Sequence, residues 1–145
     1  MAGIGGVVRD NKGRFLLAFG NSLQHWDADQ TELCAVLFLK NVMKEWMFEA
    51  LGVIIEGDNR NIINMLQREI KRWKVSKVIE DSLAFLLEFK LTIFSFTNRL
   101  GNKLANLCAN LAVDRSFVWE DLHGISIPPS FLNCLKEECD ALDVP

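Results

Sequence analysis

Glu32, in Gln-Thr-Glu-Leu-Cys-Ala, and Asp58, in Val-Ile-Ile-Glu-Gly-Asp-Asn, are two carboxylates at junctions between secondary-structure elements. Hard oxygen donors converging from separate elements are what a divalent cation such as Mg²⁺ selects. Asp58 follows a short apolar run, and polar residues at the carboxyl ends of strands line the crevice of open α/β sheets. Glu32 opens a long segment of helical periodicity, so its carboxylate reaches the same edge if that helix packs across the sheet. Each acid also has a plain structural reading. A glutamate in a first helical turn is favoured by the helix dipole alone, and Asp58 or Asn59 can serve as the N-cap of a following helix.

Other candidate chemistry is weaker. Gly3-Ile4-Gly5-Gly6 is glycine-rich, but no preceding strand, following helix or Lys-Ser/Thr pair makes it a phosphate loop. Cys34, Cys108, Cys134 and Cys139 have no metal-ligand spacing, and Cys34 and Cys108 fall in apolar helical patterns where a buried free thiol is expected.

The elements that must position the two acids follow from periodicity and turn residues. Residues 3–9 and 14–20 flank Asp10-Asn11-Lys12-Gly13, which reads as a β-hairpin. A helix is expected from Gln30 to Leu51, with Val36, Leu39, Met43 and Trp46 on one stripe and Leu33, Leu37 and Met47 widening it. Gly52 breaks it, and Val53–Glu56 reads as a buried parallel strand. Asn59–Ile70 is a helix aligned on Ile62, Leu66 and Ile70, and Ser76–Phe89 is another. Leu91–Thr97 alternates apolar and polar residues as a strand does. Asn102–Val113 closes the series, with Leu104, Leu107, Cys108 and Leu111 inward and Ala105, Ala109 and Ala112 permitting close packing. The order β-β-α-β-α-α-β-α is a mixed α/β domain over 1–115. Residues 116–145 read as an irregular tail packed on it, with an amphipathic stretch near Phe131–Leu135.

At 145 residues the chain can bury a sizeable core. A net charge of −3 and a pI near 5.4 argue against a broad phosphate-binding surface but leave room for a local one. Arg68, Lys71, Arg72, Lys74 and Lys77 form the one basic run, and a solvated helix end is the simpler account of it. No apolar run approaches the ~18 residues of a membrane span. The first six residues lack the basic start and apolar core of a secretory signal, so an intracellular compartment, cytoplasmic or nuclear, is expected.

Four segments, in order, resemble the plant ribonuclease H-like domains of the reverse transcriptase-like group. They are the opening hairpin 3–19, Thr31-Glu32-Leu33-Cys34-Ala35-Val36, Val53-Ile54-Ile55-Glu56-Gly57-Asp58, and Arg99-Leu100-Gly101-Asn102-Lys103-Leu104-Ala105-Asn106. The resemblance implies a mixed sheet with an antiparallel hairpin and parallel strands, helices on both faces, and the activity of an RNA–DNA hybrid endonuclease. It also implies four carboxylates holding two Mg²⁺ (or Mn²⁺) ions that activate water and stabilise the leaving oxygen. Glu32 matches the second ligand and Asp58 the third. Asn106 stands where the fourth aspartate is expected, and the first aspartate belongs to a central strand before Gly3, where this sequence begins. The expectation is therefore an N-terminally truncated, active-site-degenerate member. Two ions about 4 Å apart bring four positive charges, and two carboxylates leave them uncompensated, so one weakly held ion is the expected limit. Asp10, in the hairpin turn, and Asp114, about two helical turns beyond Asn106, are poor substitutes. Gly124–Ile127 is the one spare β-like piece that could fill a missing strand's place.

Three functional expectations follow. The first is a nucleic-acid-binding domain with weak or no catalysis, contacting RNA–DNA hybrid with Asn98, Arg99 and Asn102. The second is a non-catalytic protein-interaction module on the same fold, which the acidic pI favours. The third is an active hydrolase using Glu32, Asp58 and a neutral Asn106. Asn98, Asn102, Asn106 and Asn110 recur every four residues and could hydrogen-bond a sugar–phosphate strand, or be a solvated face.

Overall fold

The computed structural model describes residues 2–24, 28–76, 81–120 and 127–142. The chain forms two compact units, residues 27–102 and residues 1–26 with 103–145. The expected mixed α/β fold is present, as an antiparallel sheet and a parallel strand pair, each with its own helices.

In the discontinuous unit, β1 (Ala2–Arg9) and β2 (Phe15–Leu23) make the hairpin, which places Gly3–Gly6 within a strand. Gly13, at φ 81°, supplies the left-handed residue that the turn needs. Asp10 locks the turn: Oδ1 accepts from the Lys12 and Arg14 amides (both 2.9 Å), and Oδ2 pairs with Arg14 Nε at 2.7 Å. The Arg14 amide is the main cause of its lowered pKa, so Asp10 is a turn residue. Helix α3 (Lys103–Ala112) lies hard against β1, burying Leu104, Cys108 and Ala112. A Cβ at Gly3 would collide with the Ala109 carbonyl, and one at Gly5 with the backbone of Cys108 and Ala109. The small-residue face of α3 and the two glycines are one packing device.

The segment expected to be an irregular tail carries two further elements. Strand β5 (Phe117–Trp119) pairs antiparallel with β2, setting Trp119 opposite Ala18. Helix α4 (Pro129–Leu142) starts on a proline, whose missing N–H costs nothing in a first turn. It seats the fully buried Phe131 edge-on against Trp119 and Phe15, at 5.0 and 5.9 Å between centroids. These aromatic contacts hold the amphipathic stretch near Phe131–Leu135 as part of a regular helix. Of the expected spare strand, residues 124–126 lie outside the described residues.

In the continuous unit, α1 (Ala28–Val42) ends nine residues earlier than its periodicity suggested. Lys44 is extended (φ −84°, ψ 152°), and a short 3₁₀ helix follows over Glu45–Glu49. That break buries Met47 and sets Phe48 against the Phe89 ring at 4.8 Å. Trp46, expected on the inward stripe, is left 55% exposed. Strands β3 (Gly52–Gly57) and β4 (Leu91–Phe96) pair in parallel, in register from Gly52–Leu91 to Gly57–Phe96. Between them run α2 (Arg60–Ser76), longer than expected, and a 3₁₀ segment, Asp81–Glu88, within the region read as an α-helix. Ile55 and Phe94 pack beneath Ile62, Ile63, Leu66, Leu83 and Leu86 as one core. Among the described residues of this unit, the helices cover one face of the pair. Ile54 and Ile93, opposite each other in the register, are 62% and 42% exposed, so β3 is not the fully buried strand expected.

Gly5→Ala should cost about 1–3 kcal/mol by overpacking against the α3 backbone. Gly57→Ala, whose new methyl meets only the flexible end of Ile63 at 3.3 Å, should stay within about 0.5 kcal/mol. Urea denaturation of the two variants checks the contrast.

Candidate functional site

Gly57 ends β3, and its carbonyl accepts the Thr97 amide at 2.9 Å, so the parallel pairing runs one step past β4. Both chains therefore leave the sheet together, Asp58 after β3 and Arg99 after β4. Arg99 Nε stands 4.0 Å from Asp58 Oδ2. The aspartate side chain is 14% exposed and the arginine 86%, so the pair is a loose one on its cationic side. The capping role open to either residue at this turn falls to Asn59, whose Oδ1 accepts the Ile62 amide at 3.2 Å. Arg60 then opens α2 with its guanidinium 4.0 Å above the centre of the Phe96 ring.

Glu32 comes to the same place from α1. That helix starts at Ala28, which puts Glu32 in its second turn, beyond the short reach of the helix dipole. Glu32, Asp58, Asn59, Arg60, Asn61 and Arg99 line one open cleft of about 400 Å³. Burial raises the Glu32 carboxyl above its ordinary pKa, the Asp58 charge raises it further, and Arg99 opposes both. A carboxyl whose charged form is disfavoured by burial and by a neighbouring negative charge gains from any cation brought near it.

Two acids, Glu32 and Asp58, line the cleft and are the donors open to a divalent ion there. Among the described residues no group of three or more His, Cys, Asp or Glu side chains comes together. Glu32 and Asp58 would hold the ion, with water completing its shell. Asn106 lies in the first turn of α3, half-buried, in the discontinuous unit. Of the residues expected to touch nucleic acid, Arg99 borders the cleft. Asn98 is committed to a turn, its Oδ1 accepting the Gly101 amide at 2.9 Å. Asn102 ends the 3₁₀ helix Arg99–Asn102, and α3 begins afresh at Lys103. Asn98 to Asn110 therefore do not form one helical face, because the capping bond starts a separate, tighter turn. Asp114 is exposed after α3. Arg60 and Asn61 were not singled out from the sequence. Their signal was position alone, since the first turn of a helix after a parallel strand opens on the crevice.

The profile of the reverse transcriptase-like family matches residues 1–112. The chain belongs to that family. No curated protein and no solved structure gives a significant match. The matched span contains Glu32, Asp58 and Arg99, so the cleft lies wholly within the reverse transcriptase-like, ribonuclease H-like portion. Among the described residues, no helix of this domain is long and apolar enough to cross a membrane.

The raised Glu32 pKa gives a signed prediction. A carboxyl with its folded pKa above its unfolded one binds more protons when folded, so its contribution is complete below the unfolded pKa and is lost as pH rises through the folded one. Glu32→Gln should raise Tm at pH 7 and leave it unchanged near pH 4. An equal shift at both pH values would contradict the electrostatic origin.

Proposed function

We propose that this reverse transcriptase-like domain binds the sugar–phosphate backbone of RNA–DNA hybrid at the Glu32–Asp58 cleft, with little or no hydrolysis. The observation that carries the reading is the convergence of two half-buried acids with Arg60 and Arg99 in one cleft of a family-matched segment. The guanidiniums supply bidentate donors for phosphate oxygens. The carboxylates repel phosphate unless a cation is held between them. When bound, a divalent ion there polarises a phosphoryl oxygen and offsets developing charge. Glu32 and Asp58 supply its ligands, Asn59 fixes the start of α2, and Phe96 holds Arg60 in place.

Weak hydrolysis follows from charge balance. A two-ion mechanism needs carboxylates for both ions, and this cleft offers two acids with a guanidinium 4.0 Å from one of them. Arg99 already supplies part of the positive charge that a second ion would bring.

A second reading, a protein-interaction module, draws on the exposed Ile54–Ile93 face of the parallel pair. Hybrid binding and cleavage separate the readings. We expect salt-sensitive binding at about 50 mM salt in the presence of Mg²⁺. Turnover should stay near background and be indifferent to Glu32→Ala and Asp58→Ala. Clear turnover abolished by either substitution would establish a hydrolase that uses Glu32 and Asp58, with Asn106 as the neutral third candidate. No affinity at low salt would leave the interaction module.

A further inference from the structure

Helix α2 is charged out of proportion to the chain. It carries Arg60, Arg68, Lys71, Arg72 and Lys74 against a single acid, Glu69, in a protein of net charge −3. Glu69 pairs with Arg72 at 3.6 Å. Asn61, Asn64, Arg68 and Lys71 recur at steps of three and four, which sets them on one stripe of the helix. Asn61, Asn64 and Arg68 are exposed, as is Lys71. With Gln67 they line an open groove of about 600 Å³, and among the described residues its wall is without an acid. Gln67 is anchored, its Nε2 donating to the Phe94 carbonyl at 2.8 Å, so the groove floor is tied to β4. Asn61 lines both this groove and the acid cleft, so the two adjoin at that residue.

From this adjacency and the cations in its wall we infer that the groove along α2 is a track for the nucleic-acid backbone running away from the Glu32–Asp58 cleft. The inference rests on the nucleic-acid reading above and adds to it a second surface. The stripe from Asn61 to Lys71 is about 15 Å long at 1.5 Å per residue, and an extended strand places two or three phosphates along that length. Arg68 offers a planar fork and Lys71 a compact charge, the two usual ways of holding phosphate. Asn61 and Asn64 add neutral donors and acceptors suited to sugar and phosphate oxygens, which position a strand without reading its sequence. The amide residues lie toward the acids and the cations lie away from them. That order suits a polyanion whose charge near the cleft is met by Arg60 and Arg99 and farther out by Arg68 and Lys71.

The test is fluorescence-anisotropy binding of an RNA–DNA hybrid of about 18 base pairs to the full chain, with Mg²⁺, across a series of KCl concentrations. Arg68→Ala/Lys71→Ala is compared with an off-groove pair, Lys12→Ala/Lys136→Ala, and circular dichroism verifies that both fold. The groove variant should lower the slope of log K against log salt by about 2, close to one per lost phosphate contact. The off-groove pair should leave that slope within experimental error of the parent. A wild-type chain that binds hybrid while the groove variant keeps its full slope would overturn the track and leave the proposed function intact. Equal losses in both pairs would also overturn it, because they would mark diffuse attraction. A wild-type chain with no affinity at low salt would overturn both readings together.

Discussion

The parallel pairing of β3 with β4 is the constraint on which the site depends, because it brings two chain ends out of the sheet at one place. Parallel strands cannot be joined by a tight turn; the return crossover must travel the length of the sheet. Here α2 and the 3₁₀ segment Asp81–Glu88 make that crossover and cover the inner face of the pair. The register from Gly52–Leu91 to Gly57–Phe96, prolonged by the Thr97 amide on the Gly57 carbonyl, sets Asp58 beside Arg99. The N-terminal end of α2 then falls at the same edge, bringing Asn59, Arg60 and Asn61 with it. A slip of one residue in the pairing would turn Ile55 and Phe94 out of the core, so the hydrophobic pattern holds the register that the chemistry uses.

Charge decides what such a site can do. Burial hinders the ionisation of Glu32, and the Asp58 charge adds to the effect. Arg99 relieves part of that strain without burying itself. The result is a cleft of mixed sign, with acids within and guanidiniums at its border. Structural thiols stand apart from this chemistry: burial first, and Cys134 second, push the Cys108 thiol up to about 12, which keeps it a packing group.

Much of this was legible in the residues, for identifiable reasons. The hairpin, β3, β4 and the core face of α3 were set by local turn chemistry and strong periodicity, and the close packing that Ala105, Ala109 and Ala112 permit was legible, though not that Gly3 and Gly5 receive Ala109. Glu32 and Asp58 could be named because junction position and family pattern agreed. The end of α1 could not. A helical stripe through Trp46 is as good a pattern as the real one, and only the packing of Met47 and Phe48 on Phe89 selects the break at Lys44. Strand β5 was missed because three residues, Phe117–Trp119, carry too little alternation to register. The Asn98–Asn110 repeat spans a helix and its approach, and spacing alone does not reveal the capping bond that opens a separate 3₁₀ turn at Arg99.

The central claim is that Glu32 and Asp58 form a site for one divalent ion. Mn²⁺ titration followed by electron paramagnetic resonance tests it most directly, since it counts ions and reports coupling between neighbouring ones. The account predicts a single bound Mn²⁺ per chain, lost in Asp58→Asn and weakened in Glu32→Gln, with no spin-coupled signal. Two coupled ions per chain, or one ion held equally well by both variants, would contradict it.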